Sequence, residues 1–161
     1  MATVDCFEDL IIWQEAKELT LLIYTNFKQS KDFGFRDQIQ RAAVSIMNNI
    51  AEGFERGTDP DFIKFLFFSK ASAGEVRSML YLARELNYLE KNEADNLIIK
   101  TRRISGSIGN FIKYLKQSKN KDTKDIKSAE FRKKRPFHPL TFFPPDPSTH
   151  WLSDPNNPQN P

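Results

Sequence analysis

The sequence predicts an all-α protein: an antiparallel, up-down-up-down four-helix bundle followed by a disordered or irregular proline-rich C-terminal tail. Three observations predict it. Apolar residues recur at three- and four-residue steps in four separate series, and no segment sustains alternation of period two. Turn signals fall only between those series. Of the nine prolines, eight lie from Pro136 onward, so the body is free to be helical.

The first series is Ile12, Ala16, Leu19 and Ile23, with Trp13 and Leu22 alongside. It predicts a helix from about Phe7 to Phe27 that ends before Gly34. The second is Ile39, Ala42, Ala43, Ile46 and Ile50, running into Gly53 and Gly57, both read as stop signals. Thr58-Asp59-Pro60 then supplies a polar cap and a proline near the first helical position. The helix it opens carries Phe62, Phe65, Leu66, Ser69, Ala73, Val76, Leu80 and Ala83 and is expected to reach Tyr88. The fourth begins near Asn92-Glu93 and uses Leu97, Ile104, Ile108, Phe111 and Leu115. Connections this short favour antiparallel neighbours.

The 161 residues suffice for one such domain. Charge divides the chain in two. Residues 1–118 hold 16 Lys/Arg and 16 Asp/Glu, whereas residues 119–161 hold 8 and 5, so the whole formal charge of +3 belongs to the extension. The domains expected are therefore a bundle over 1–118 and a basic, then Pro/aromatic-rich extension over 119–161. No apolar run approaches the roughly 20 residues that span a bilayer, and the N-terminus lacks the basic-then-apolar pattern of a signal peptide. A single cysteine, Cys6, fits a reducing compartment. A cytoplasmic protein without membrane contact is expected. His138 and His150 both fall in the extension, which removes histidine triads, zinc sites and di-iron motifs from the body. No metal or cofactor is expected.

Two helices carry more than a core stripe. On the third, Phe68, Met79, Leu82 and Leu86 form a second apolar row beside the first, and together they cover more than half the circumference. A surface helix needs only about a 100° stripe. Either this helix is the most central one, or its extra face packs against another subunit; the second is preferred, since a four-helix bundle has no central helix. On the second helix, Gln38, Arg41, Ser45, Asn49, Glu52 and Arg56 form one polar ladder flanking the apolar face. Three readings stand: a solvated surface, a partly buried hydrogen-bond network fixing register or a subunit contact, and an active site. The network is favoured, because no nucleophile–base pair or metal cluster accompanies the ladder.

These residues also carry a resemblance. Phe7-Glu8-Asp9-Leu10 with Trp13-Gln14-Glu15-Ala16, then Gln38-Ile39-Gln40-Arg41-Ala42-Ala43-Val44-Ser45, then Asn49-Ile50-Ala51-Glu52-Gly53 are similar to one family. It is the family of four-helix-bundle proteins encoded in intervening sequences of bacterial large-subunit ribosomal RNA genes, with distant relatives among the accessory variability proteins of diversity-generating retroelements. Ala71-Ser72 followed by Glu75-Val76 matches its third-helix pattern, and the likeness covers about residues 5–117. Met47 stands where the family often has proline and Ala71 where it often has glycine; both changes favour a regular helix. The resemblance implies a closed bundle assembling as a homopentamer, with a basic surface and, in the retroelement relatives, a reverse transcriptase and nucleic acid as partners. It implies a structural or inter-subunit role for Trp13, Gln38, Arg41, Ser45, Asn49, Glu52 and Glu75. Family membership speaks for the fold more than for the activity.

Charge supplies the functional lead. Between Asn96 and Lys121 stand seven cations and no acidic residue. Lys100, Arg102, Arg103, Lys113 and Lys116 are the candidate nucleic-acid contacts, with Arg102, Lys113 and Lys116 opposite the core stripe. The bland reading is a solvated face whose cations stabilise the helix C-terminus. The functional one is a phosphate-binding surface that symmetric assembly would repeat. Phe131-Arg132-Lys133-Lys134-Arg135-Pro136 adds a further basic run, and Phe137, Phe142, Phe143 and Trp151 lie among prolines beyond it. The run is expected to be solvated or to touch nucleic acid, and the aromatics either dock or stay free. The expectation is a non-enzymatic, homo-oligomeric scaffold binding RNA or DNA through its backbone, accessory to an enzyme such as a reverse transcriptase. The alternative is a protein–protein adaptor working through the tail or the polar ladder.

Overall fold

The computed structural model describes residues 4–122, with side-chain surroundings through Gln117. The basic run at 131–136, the aromatics among the prolines, both histidines and the side chains of Lys119 and Lys121 lie outside the described residues. A 3₁₀ turn at Phe7–Asp9 leads into α1 (Ile11–Asn26), α2 (Phe33–Glu55), α3 (Asp59–Glu85) and α4 (Lys91–Asp122). Each helix packs on its neighbours in chain order and α1 closes against α4, as an up-down-up-down bundle requires. The α2–α3 and α3–α4 seams are the most extensive and the α1–α4 seam the least.

Local chemistry sets the ends. Asp32 caps α2 by accepting from the Phe35 amide at 2.9 Å, and Tyr88 donates its hydroxyl proton to the same carboxylate at 2.9 Å. Those bonds, the Phe35 amide first, hold the Asp32 carboxyl below its usual range. The Tyr88 bond also pins the α3–α4 connection onto the start of α2. Thr58 caps α3 by accepting from the Asp61 amide at 3.3 Å, with Pro60 in the first turn where its missing N–H is harmless. Helix α1 begins later than its sequence suggests. Phe7, Glu8 and Asp9 form the 3₁₀ turn instead, and Phe7 lies edge-on to Trp13 at 5.1 Å.

The core is one apolar cluster built from the predicted series, including Ala16, Leu19, Ile23, Ile39, Ile46, Ile50, Phe62, Leu66, Val76, Leu80, Ile104 and Ile108. Small and polar residues mark where helices approach closely. Ser69 is wholly buried and donates to the Ile46 carbonyl of α2 at 2.8 Å. The buried Thr20 hydroxyl lies 2.9 Å from its own Ala16 carbonyl and 3.1 Å from that of Ala43 on α2.

The two predicted glycine stops separate here. Gly57, at φ 71°, adopts the left-handed conformation that ends α2. Gly53 lies inside α2 and is buried, and a Cβ there would stand 2.6 Å from Cβ of Phe65. Its function is close packing against α3. Among the described residues no helix is long and apolar enough to cross a membrane.

Candidate nucleic-acid interface

Helix α4 turns Ala94, Leu97, Ile98, Thr101, Ile104, Ile108, Phe111, Ile112 and Leu115 into the core. Its 3.6-residue period then forces Arg102, Arg103, Lys113 and Lys116 outward, and all four are exposed. The five candidate cations are not equivalent. Lys100 Nζ pairs with Glu18 Oε2 at 2.9 Å, and Arg103 Nη2 pairs with Glu15 Oε1 at 3.2 Å, both partners on α1. Lys116 Nζ lies 4.9 Å from the centre of the Phe67 ring on α3. Arg102 and Lys113 have no carboxylate partner among the described residues. The face available to phosphate is therefore Arg102, Lys113 and Lys116, with Lys100 and Arg103 already answering α1.

Glu15 was not singled out by sequence. Its side chain is only 16% exposed, and Oε2 is buried without a hydrogen-bond partner. Burial pushes its carboxyl above the usual range, against the pull of Arg103 and Lys100. A signal existed: Glu15 stands three residues after Ile12 and four before Leu19, within the core register of α1. Which cations would meet it depended on α4 and was not readable.

The polar ladder splits into two parts. Toward α3, Gln38 Nε2 donates to Glu75 Oε1, and the Ser45 and Ser72 hydroxyls share a hydrogen bond of 2.9 Å. Asn49 Nδ2 donates to the Ser45 carbonyl at 2.7 Å and to its hydroxyl at 3.0 Å. This half is an inter-helix network. The remainder faces water: Arg41 pairs with Asp37 at 3.6 Å, and Arg56 pairs with Glu52 at 2.7 Å, all four side chains at least half exposed. Arg56 also lies over the Phe65 ring at 4.6 Å. Trp13 is half-buried against Phe7, with Lys17 above its ring at 5.0 Å.

The second apolar row of α3 is on the surface. Phe68, Leu82 and Leu86 are 47%, 50% and 46% exposed, while Met79 is half-buried against the core. Among the described residues no cluster of three His, Cys, Asp or Glu side chains could hold a metal ion.

Comparison with known proteins gives a family and a fold. A family model described as 23S rRNA-intervening sequence protein matches residues 8–110. Among solved structures, one from Bacteroides thetaiotaomicron, described as a protein with unknown function from the S23 ribosomal protein family, superimposes with a TM-score of 0.61. It is 23% identical and covers 64% of this chain and 99% of its own. At that identity the likeness concerns the four-helix fold. Among curated proteins none matches this sequence.

Proposed function

Since the chain belongs to the 23S rRNA-intervening sequence protein family, we propose that it is a non-enzymatic, homo-oligomeric scaffold whose α4 surface binds the phosphate backbone of RNA or DNA. One observation carries the reading. Arg102 and Lys113 are exposed and have no carboxylate partner among the described residues, in a stretch from Asn96 to Lys121 that contains no acidic residue. Cations held apart from carboxylates keep their full field for an incoming anion.

Self-assembly draws on the exposed Phe68, Leu82 and Leu86, whose burial against another copy would remove apolar surface from water. A homopentamer is the assembly the family resemblance implies. It would repeat the α4 patch around a ring, letting a weak site act by avidity. The same resemblance suggests an accessory role beside a nucleic-acid enzyme such as a reverse transcriptase, in the cytoplasm. A non-enzymatic role agrees with the ladder, where Glu52 is bound to Arg56, Glu75 to Gln38 and Ser45 to Ser72. None of these presents a nucleophile to a base. A protein–protein adaptor is the second reading, favoured by the apolar α3 row if its occupant is a different protein.

The test is fluorescence anisotropy with labelled RNA and DNA over a salt series, with light scattering for oligomer mass. Three phosphate contacts per subunit give a log–log salt slope of about −2.7 on duplex DNA and about −2.1 on single strands. The pair Arg102→Glu and Lys113→Glu weakens binding at unchanged mass, whereas Leu82→Glu lowers the mass. No binding by the wild-type protein at low salt overturns the nucleic-acid reading and leaves the adaptor.

A further inference from the structure

Apart from the α4 face, the protein carries a second cationic surface on its α1–α2 side. A shallow depression of about 410 Å³ is lined by Tyr24, Thr25 and Lys28 of the α1 end and by Arg36 and Gln40 of α2. No carboxylate lines it. Neither Lys28 nor Arg36 has an ion pair among the described residues. Two aromatic rings stand open beside these cations. Tyr24 is 46% exposed, and Phe33 is 67% exposed with the Arg36 guanidinium carbon 4.8 Å from its ring centre.

The fold explains one of the two cations. Lys28 follows the C-terminus of α1, where positive charge is favourable. Arg36 sits within the first turns of α2, at the end of the helix where a cation is disfavoured, and the contact it makes there is with the Phe33 ring three residues earlier. Tyr24 also lines a second depression of about 460 Å³, which continues along α2 past Arg41, Val44, Ser45, Asn48 and Asn49 to Glu52, whose carboxylate is paired with Arg56. The result is a groove with two cations free of ion pairs at one end, a ring at its middle, amide donors and acceptors beyond, and the Arg56-paired Glu52 at its far end.

We infer that this groove binds single-stranded nucleic acid, with Lys28 and Arg36 each holding a backbone phosphate and Tyr24 and Phe33 offering ring faces to unstacked bases. Cations beside open aromatic faces are the chemistry of single-strand binding, because every base has a π-face and a duplex hides it. An acidic peptide would use the cations and ignore the rings. The inference rests on the proposed nucleic-acid role and adds to it a site and a preference for single strands.

The full chain is titrated by anisotropy with a short labelled single-stranded RNA and with its duplex, each over a salt series. Tyr24→Ala is expected to weaken single-strand binding by about tenfold with little change on duplex, and Tyr24→Phe to keep it. The pair Lys28→Glu and Arg36→Glu is expected to weaken single-strand binding at least as much, and to flatten its salt slope by about 1.4, the share of two phosphate contacts. Tyr24 and Lys28 are exposed and Arg36 is half-buried, and circular dichroism checks that the variants remain folded.

Single-strand affinity that is unchanged in these variants but lost in Arg102→Glu with Lys113→Glu overturns the groove and leaves the α4 reading standing. Equal losses on duplex and single strand in Tyr24→Ala, or displacement by polyglutamate as effective as by unlabelled RNA, also overturn it. Wild-type protein that binds neither nucleic acid at low salt removes both readings.

Discussion

Replacing Gly53 with alanine sets two known effects against each other at a position the structure defines. In an open helix interior, Gly→Ala is stabilising by roughly 0.5–1 kcal/mol, because glycine loses more backbone freedom on folding. At Gly53 the added methyl would lie 2.6 Å from Phe65 Cβ, 3.0 Å from Phe62 Cδ2 and 3.4 Å from Phe62 Cα. The nearest of these is rigidly attached to the α3 backbone. A rotamer change cannot move it, so relief requires α2 and α3 to separate along the most extensive seam of the bundle. Overpacking of a well-filled core costs about 1–3 kcal/mol, and a contact with Cβ belongs at the upper end.

The packing term wins, and Gly53→Ala is expected to destabilise by about 1–2 kcal/mol net. For a domain of this size that lowers Tm by roughly 3–10 °C. Gly106 is the control, an exposed α4 glycine with nothing within 4 Å of its missing Cβ. Gly106→Ala should raise stability by about 0.5–1 kcal/mol through the entropy term alone. Urea and thermal denaturation followed by circular dichroism measure both. Opposite signs at the two positions support the close approach. Gly53→Ala matching or exceeding the wild-type Tm would refute it.

Two further perturbations probe the polar seams. Because burial raises the Glu15 carboxyl above its unfolded value, the folded state holds that proton more tightly, and stability falls as pH rises through the folded pKa. Glu15→Gln removes this part of the pH dependence, so the variant gains on wild type as pH is raised from acid toward neutral; denaturation at several pH values reads the crossing. A double-mutant cycle on Ser45→Ala and Ser72→Ala, joined by their 2.9 Å hydrogen bond, should return a coupling of about 0.5–1.5 kcal/mol by urea denaturation. A coupling near zero would return the ladder to a solvated surface.

Legibility followed the range of the interaction. Core positions on each helix were readable because burial obeys a local period: Ile12, Ala16, Leu19 and Ile23 are buried where the spacing places them. The outward setting of Arg102, Lys113 and Lys116 follows from the same period. The exposed row of Phe68, Leu82 and Leu86 was readable as an excess of apolar circumference. Gly53 was not readable as a packing residue, because a helix stop and a close crossing both call for a missing Cβ. The ladder was visible as one stripe, yet half of it turned to Glu75 and Ser72 on α3 and half to water.

The candidate site shows the same division. Five cations along one helix are a local pattern, but whether each is available depends on another helix. Lys100 and Arg103 are engaged because α1 brings Glu18 and Glu15 against them. The α1–α2 groove leaves no trace in either helix alone, since Tyr24 and Lys28 face Arg36 and Gln40 only once the two are packed. The sequence by itself determined the four helices, their buried faces and the direction in which the charges of α4 point. Those follow from backbone hydrogen bonding and from period, and both act within a few residues. Only the tertiary structure decided which charges are neutralised, which carboxylate is buried and which surfaces meet, because those depend on distances between residues far apart in the chain.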